Sequence, residues 1–202
     1  MAGTVAFAVT AVLALVDRGI DLFGAAVLGI ITAVGGGTVR DLILDVPVFW
    51  SVDLSYIWVA LGASVAAFVA HSLLARHHIH SLFLYVDGLG AALFAVQATG
   101  KVWDLDFGLP VAPVMLGVVT AIGGGLIRDV LAGRPTLLMS RELYAVPVLL
   151  GCIVFVFLLA YFPEQRFVGS IGCILLIFGL RAAAIHWKLT VPYWFTTKPT
   201  GE

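Results

Sequence analysis

Two short stretches carry the residues best suited to act on ions. They are Gly35-Gly36-Gly37-Thr38-Val39-Arg40-Asp41 and Gly123-Gly124-Gly125-Leu126-Ile127-Arg128-Asp129, each inside a long apolar run. Three glycines in a helix cost roughly 1 kcal/mol each relative to alanine. They also remove side chains where the backbone could bend or bare its carbonyls. At membrane depth such irregularity is tolerated only inside protein or beside a wet cavity. Matched glycine interruptions therefore point to an ion or substrate pathway, with close helix packing as the competing reading. Arg40 and Arg128 lie nearly one turn beyond the last glycine. An intramembrane arginine costs at least about 2.5 kcal/mol, so each should meet a partner or water. Asp41 and Asp129, about 100° further round the helix, suit another helix or the other stretch's arginine. The cross pairs Arg40 with Asp129 and Arg128 with Asp41 are thus expected, unless each Arg-Asp snorkels to the interface.

Asp87 opens Asp87-Gly88-Leu89-Gly90 a few positions into another apolar run. It reads either as a pathway carboxylate or as a helix-start group near the positive dipole end. Thr32, Thr38 and Thr120 place hydroxyls beside the glycines as weak ion ligands or gate groups, or as groups satisfying backbone. His71, His77, His78 and His80 beside Arg76 read as an interfacial basic loop rather than a metal site. Cys152 and Cys173 sit in apolar runs without CxxC neighbours and read as packing residues. Neither glycine stretch fits a nucleotide-binding pattern, and no Ser-His-Asp set or HExxH motif supports an enzyme. No cofactor or metal is expected.

The elements holding these residues must be membrane helices. Of 202 residues 61% are hydrophobic and 11% charged, whereas a soluble domain carries roughly 25% charged residues. Mean hydropathy is +1.10. The formal net charge of −1 supplies no basic field for nucleic acid. Seven apolar runs are candidate spans: about Ala2 to Val16, Leu22 to Leu44, Leu54 to Ala75, Leu82 to Gly100, Leu109 to Ala132, Leu143 to Tyr161, and Phe167 to His186. The first lacks a basic leader region and reads as a retained helix. Arg18, Arg76, Arg134, Arg141, Lys188 and Lys198 fall on one side, with Arg181 close by, and Lys101 and Arg166 on the other. The excess of basic residues places the C-terminus in the cytoplasm and the N-terminus outside.

The two glycine stretches belong to a duplication with a constant offset of 88 residues, running from Gly29/Gly117 through Pro47/Pro135 to Tyr56/Tyr144. Each copy occupies the middle helix of a three-helix unit. An odd number of spans per unit inverts the second copy, giving a pseudo-two-fold axis in the membrane plane. The expected organisation is all-α and integral to the membrane, one domain over 1–202. It comprises repeat one at 1–80, repeat two at 81–164, an extra helix at 165–188 and a cytoplasmic tail at 189–202, with helices 2 and 5 broken at the triple glycines.

Paired GGG-x-x-R-D motifs in the second and fifth of seven helices resemble the prokaryotic branch of the trimeric intracellular cation (TRIC) channel family. Pro47-Val48-Phe49-Trp50, the stretch from Asp87 to Val96, and Arg141-Glu142-Leu143-Tyr144-Ala145 match as well, and the likeness spans about residues 6 to 186. The resemblance implies a homotrimer in the prokaryotic inner membrane. Each protomer would carry its own pore, shaped by bends at Gly35-Gly36-Gly37 and Gly123-Gly124-Gly125. It implies permeation by monovalent cations, chiefly potassium, with sodium also passing. In animal relatives a basic residue on a pore helix binds anionic lipid, a role that would fall on Arg40 or Arg128.

A cation channel is the leading expectation, its selectivity arising from glycine constrictions, carbonyls, hydroxyls and the Asp and Arg field. Pore-facing arginines would repel cations unless Asp41, Asp129 or bound anionic lipid offset them. The alternative is a secondary transporter of a small amino acid such as glycine, since inverted repeats are a common transporter design. A structural scaffold, using glycines for packing alone, is the third reading.

Overall fold

The computed structural model describes residues 1–15, 18–70, 76–139 and 143–189, with backbone alone at 76–79. His71, Asp17, Arg141, Glu142, Lys198 and the tail beyond 189 lie outside the described residues, as do the side chains of Arg76, His77 and His78. Among the described residues there are seven helices of fourteen residues or more: α1 (Ala2–Leu15), α2 (Leu22–Ile43), α4 (Ser55–Ala70), α5 (Arg76–Asp104), α6 (Val111–Leu131), α7 (Ala145–Tyr161) and α8 (Arg166–His186). The short α3 (Phe49–Val52) follows α2, and a single 3-10 turn (Leu137–Met139) follows α6. Among the described residues four helices are long and apolar enough to cross a bilayer, and α1, α4 and α7 are shorter apolar helices. A 14-residue α1 spans about 21 Å, against roughly 30 Å of hydrocarbon.

The helices follow the apolar runs closely except at α5, which extends past its run at both ends. Hydropathy marks only the lipid-facing length. The helix continues into polar territory because Lys101 and Asp104 find partners there, Asp41 and Arg166 respectively. Asp87 consequently lies in the fourth turn of α5, not at a helix start.

α1, α2 and α4 pack mutually, as do α5, α6 and α7, and the two groups meet through α2 against α6 and α1 against α5. α8 lies on α5 and α7. The core is built from small residues and rings: Ala8, Ala33, Ala91, Ala95 and Ala121 around Phe7, Phe94 and Phe155. Phe167, Val168 and Leu175 of α8 and Trp58 and Val69 of α4 point outward. Such exposure is costly in water and free against lipid.

Local geometry also recurs at the 88-residue offset. α2 ends with N–H groups of Asp45 and Val46 on the carbonyls of Leu42 and Asp41, and α6 ends with Gly133 and Arg134 on Val130 and Asp129. Both are Schellman ends, closed by a left-handed residue, Asp45 at φ 53° and Gly133 at φ 59°. Pro47 and Pro135 then prevent the helices from resuming.

The expected interruption of helices 2 and 5 is not present. α2 runs as continuous α-helix through Gly35, Gly36 and Gly37, and α6 through Gly123, Gly124 and Gly125. The glycines allow two backbones to touch. A Cβ on Gly36 would strike the carbonyl oxygen of Thr120, and one on Gly124 the carbonyl oxygen of Thr32. The two contacts are equivalent at the 88-residue offset.

Candidate functional site

The crossing of α2 and α6 brings the two glycine stretches face to face. Gly123 lies opposite the Cα of Gly36, Gly35 faces Ile127, and Gly37 faces the Phe49 ring. Thr32 and Thr120 are buried here and donate to the carbonyls of Leu28 and Leu116, at 2.7 and 2.6 Å. Thr38 donates to Val34 at 2.8 Å and accepts from the Trp50 indole at 2.9 Å. All three hydroxyl protons thus serve backbone, which leaves oxygen lone pairs, not donors, for the crossing. Phe7 and Phe94, with ring centroids 5.1 Å apart, fill the gap beside it. The space bounded by Phe7, Thr32, Gly36, Phe94 and Thr120 has no room for a water molecule.

A polar cluster lies at each end of the crossing. Because the helices run antiparallel through it, Arg40 and Arg128 stand on opposite ends, about twelve residues or ~18 Å apart along the axis. The cross pairs Arg40–Asp129 and Arg128–Asp41 therefore do not form. Each arginine instead turns its Nε to the aspartate beside it, Arg40 to Asp41 at 2.8 Å and Arg128 to Asp129 at 2.9 Å. Nor do the pairs snorkel: Arg40 is 4% exposed and Arg128 0%. The second oxygen of each carboxylate holds the chain that follows, accepting from the N–H of Phe49 at 2.9 Å and of Leu137 at 3.2 Å. These two residues are again 88 apart, so the Arg-Asp motif locks each helix end to its own loop.

Beyond this shared frame the ends differ. At the Arg40 end, Lys101 of α5 reaches Asp41 at 2.7 Å. Two cations share one carboxylate. At the Arg128 end, Nη1 of Arg128 reaches Asp87 at 2.6 Å and the Thr10 hydroxyl at 2.8 Å, tying α6 to α5 and α1. One cation there holds two carboxylates, its guanidinium 4.5 Å from the Phe83 ring centre. Arg181 of α8, fully buried, donates to the carbonyl of Leu143 at 2.9 Å and lies 4.7 Å from the Tyr144 ring centre. Asp87 Oδ2, Arg128 Nη2, the Tyr144 hydroxyl and Arg181 Nε and Nη2 are buried without a hydrogen-bond partner among the described residues. Gly125 opens onto this group, its Cβ position 3.2 Å from the Tyr144 hydroxyl.

The Arg40 end adjoins open space. A cavity of about 70 Å³ is lined by Gly37, Arg40, Phe49, Phe94, Gln97 and Lys101. Gln97 and Lys101 also line a cleft of about 960 Å³ between the start of α1, α5, α7 and α8. Outside the spans, the Ser55 hydroxyl and then its N–H hold the Asp53 carboxyl below the usual carboxylate range as α4 begins.

Sequence reasoning missed Thr10, Lys101, Phe7, Phe94 and Arg181 as members of these clusters. Lys101 and Arg181 carry a signal, each a charge at the edge of an apolar run. Phe7 and Phe94 carried none, since an apolar ring in an apolar run marks nothing. Among the described residues no cluster of metal-ligating side chains is found.

Long apolar helices around a glycine crossing, capped by buried ion pairs, define an all-helical membrane protein. The family model described as "Glycine transporter" matches residues 1–72 and 84–160. The UPF0126 inner membrane protein YadS of Escherichia coli is 36% identical over 94% of this chain and 91% of its own length. A UPF0126 membrane protein of Deinococcus radiodurans is 37% identical over 92% and 86%. Among solved structures, the TRIC trimeric intracellular cation channel orthologue from Rhodobacter sphaeroides superposes with a TM-score of 0.87, at 34% identity over 93% of this chain and 95% of that one. A second, solved to explain conductance through TRIC cation channels, gives 0.85 at 30% identity over 100% and 96%. The chain belongs to this family of prokaryotic membrane proteins, the bacterial relatives of the TRIC channels.

Proposed function

We propose that this protein is a monovalent cation channel, chiefly potassium-permeable, whose pore lies inside each protomer between α2 and α6. The observation that carries this reading is the TM-score of 0.87 to a TRIC channel orthologue over 93% of the chain. The pathway runs from the 960 Å³ cleft past Lys101 and Gln97 to the glycine crossing, and then to the Arg128 cluster. Thr32, Gly35, Gly36, Gly37, Thr38, Arg40 and Asp41 serve it from α2, Gly123, Gly124, Gly125, Thr120, Arg128 and Asp129 from α6, and Asp87 from α5. With no room for water between Phe7, Phe94 and the glycines, this conformation is closed. The units 1–80 and 81–164 are inverted repeats, supported by the family model's two matched segments and the recurring helix ends, with 165–188 an added helix. The protein is a homotrimer of the inner membrane, its N-terminus outside, as the names of its relatives and the basic-residue bias support.

Purified protein in planar bilayers under asymmetric potassium chloride tests the reading. Unitary currents reversing near the potassium equilibrium potential are expected. A second reading, a carrier of a small amino acid such as glycine, is favoured by the family model's description. Silent bilayers together with saturable glycine exchange in liposomes would replace the channel by the carrier.

A further inference from the structure

The Arg40 end carries an unbalanced charge next to a cavity. Arg40 and Lys101 both turn to Asp41, leaving one positive charge in excess. Arg40 spends only Nε on that carboxylate, and its two terminal nitrogens have no partner among the described residues. The residue is only 4% exposed, yet neither nitrogen is among the fully buried unpaired polar atoms, so both meet accessible space. Together with Lys101 and the Gln97 amide it lines the cavity of about 70 Å³, larger than the roughly 30 Å³ of one water. Its remaining walls are Gly37 and the rings of Phe49 and Phe94.

We propose that this cavity is a binding site for one small inorganic anion of chloride size. Charge-assisted hydrogen bonds from guanidinium and ammonium groups are the strong ones for such a guest, and a single negative charge neutralises the excess. A free ion and a lipid headgroup share this anionic chemistry, and the crystallographic test tells them apart. The opposite end has no such need, because Arg128 already faces Asp87 and Asp129. In the channel reading, the bound anion makes the Arg40 end passable, since an uncompensated positive field there would exclude cations.

The test uses the intact purified protein. Crystals grown in sodium bromide should give an anomalous peak within hydrogen-bond distance of Arg40 and Lys101. In solution, chloride titrated against gluconate at constant ionic strength should raise the unfolding temperature along a saturable curve. Lys101→Gln should remove the saturable part, and Glu164→Gln, on the wall of the outer cleft, should keep it. Absence of the bromide peak, with matching unfolding in chloride and gluconate, overturns the proposal. So does lipid phosphate density in the cavity. Both readouts are independent of current, so a failure of anion binding and a failure of cation conduction are separately visible.

Discussion

The two ends of the α2–α6 crossing share one backbone design and differ in their charge. Each has an Arg-Asp pair, a Schellman end and a carboxylate gripping the residue eight positions on. At the Arg128 end the charges are dry and matched, Arg128 and Arg181 against Asp87 and Asp129. At the Arg40 end they are over-supplied with cation and adjoin a cavity. The duplicated residues thus set the scaffold, while residues outside the duplicated motif, Asp87 and Lys101, set the electrostatics. The buried Arg128 cluster locks three helices together, while the Arg40 pair adjoins a cavity.

Breaking the lock should have the largest effect. Arg128→Met leaves Asp87 and Asp129 buried without their cation and should cost about 3–5 kcal/mol, read as a lowered unfolding temperature in detergent. Adding Asp87→Asn to that variant should recover part of the loss. Next comes the crossing itself. Gly36→Ala and Gly124→Ala should each destabilise by about 1–3 kcal/mol through overpacking, and by similar amounts because they press on equivalent carbonyls. Gly62→Ala and Gly172→Ala, where a Cβ meets nothing within 4 Å, should instead be neutral or slightly stabilising. Arg40→Gln should cost only about 1–2 kcal/mol, because Asp41 keeps Lys101 and the Phe49 N–H. The smallest effect belongs to Asp104→Asn, which loses the half-exposed pair with Arg166 and should cost at most about 1 kcal/mol.

Helix number and position were legible because apolar runs report the lipid-facing length directly. The doubled motif located the crossing for the same kind of reason: glycine, arginine and aspartate are expensive in a membrane helix, so their repetition in register has to be structural or functional. What the glycines do there was not legible. A run of three glycines is compatible with a bend or with a close approach, and only the facing carbonyls of Thr32 and Thr120 decide for the latter. The pairing of Arg40 and Arg128 was misread because helical projection treats neighbours as diverging. A long arginine side chain next to a helix end folds back onto the adjacent carboxylate. The partners Thr10 and Lys101 depend on which helices pack together, information that periodicity along one helix does not contain.

The central claim is that cations cross between α2 and α6, at the point Phe7 closes. Single-channel recording of the unaltered protein and of Phe7→Leu, side by side in asymmetric potassium chloride, tests it most directly. Phe7→Leu trims the ring at the crossing without emptying the core. Longer openings or larger unitary currents are expected in the variant, still reversing near the potassium equilibrium potential. Identical currents from both proteins would contradict it and move the pathway away from the glycine crossing.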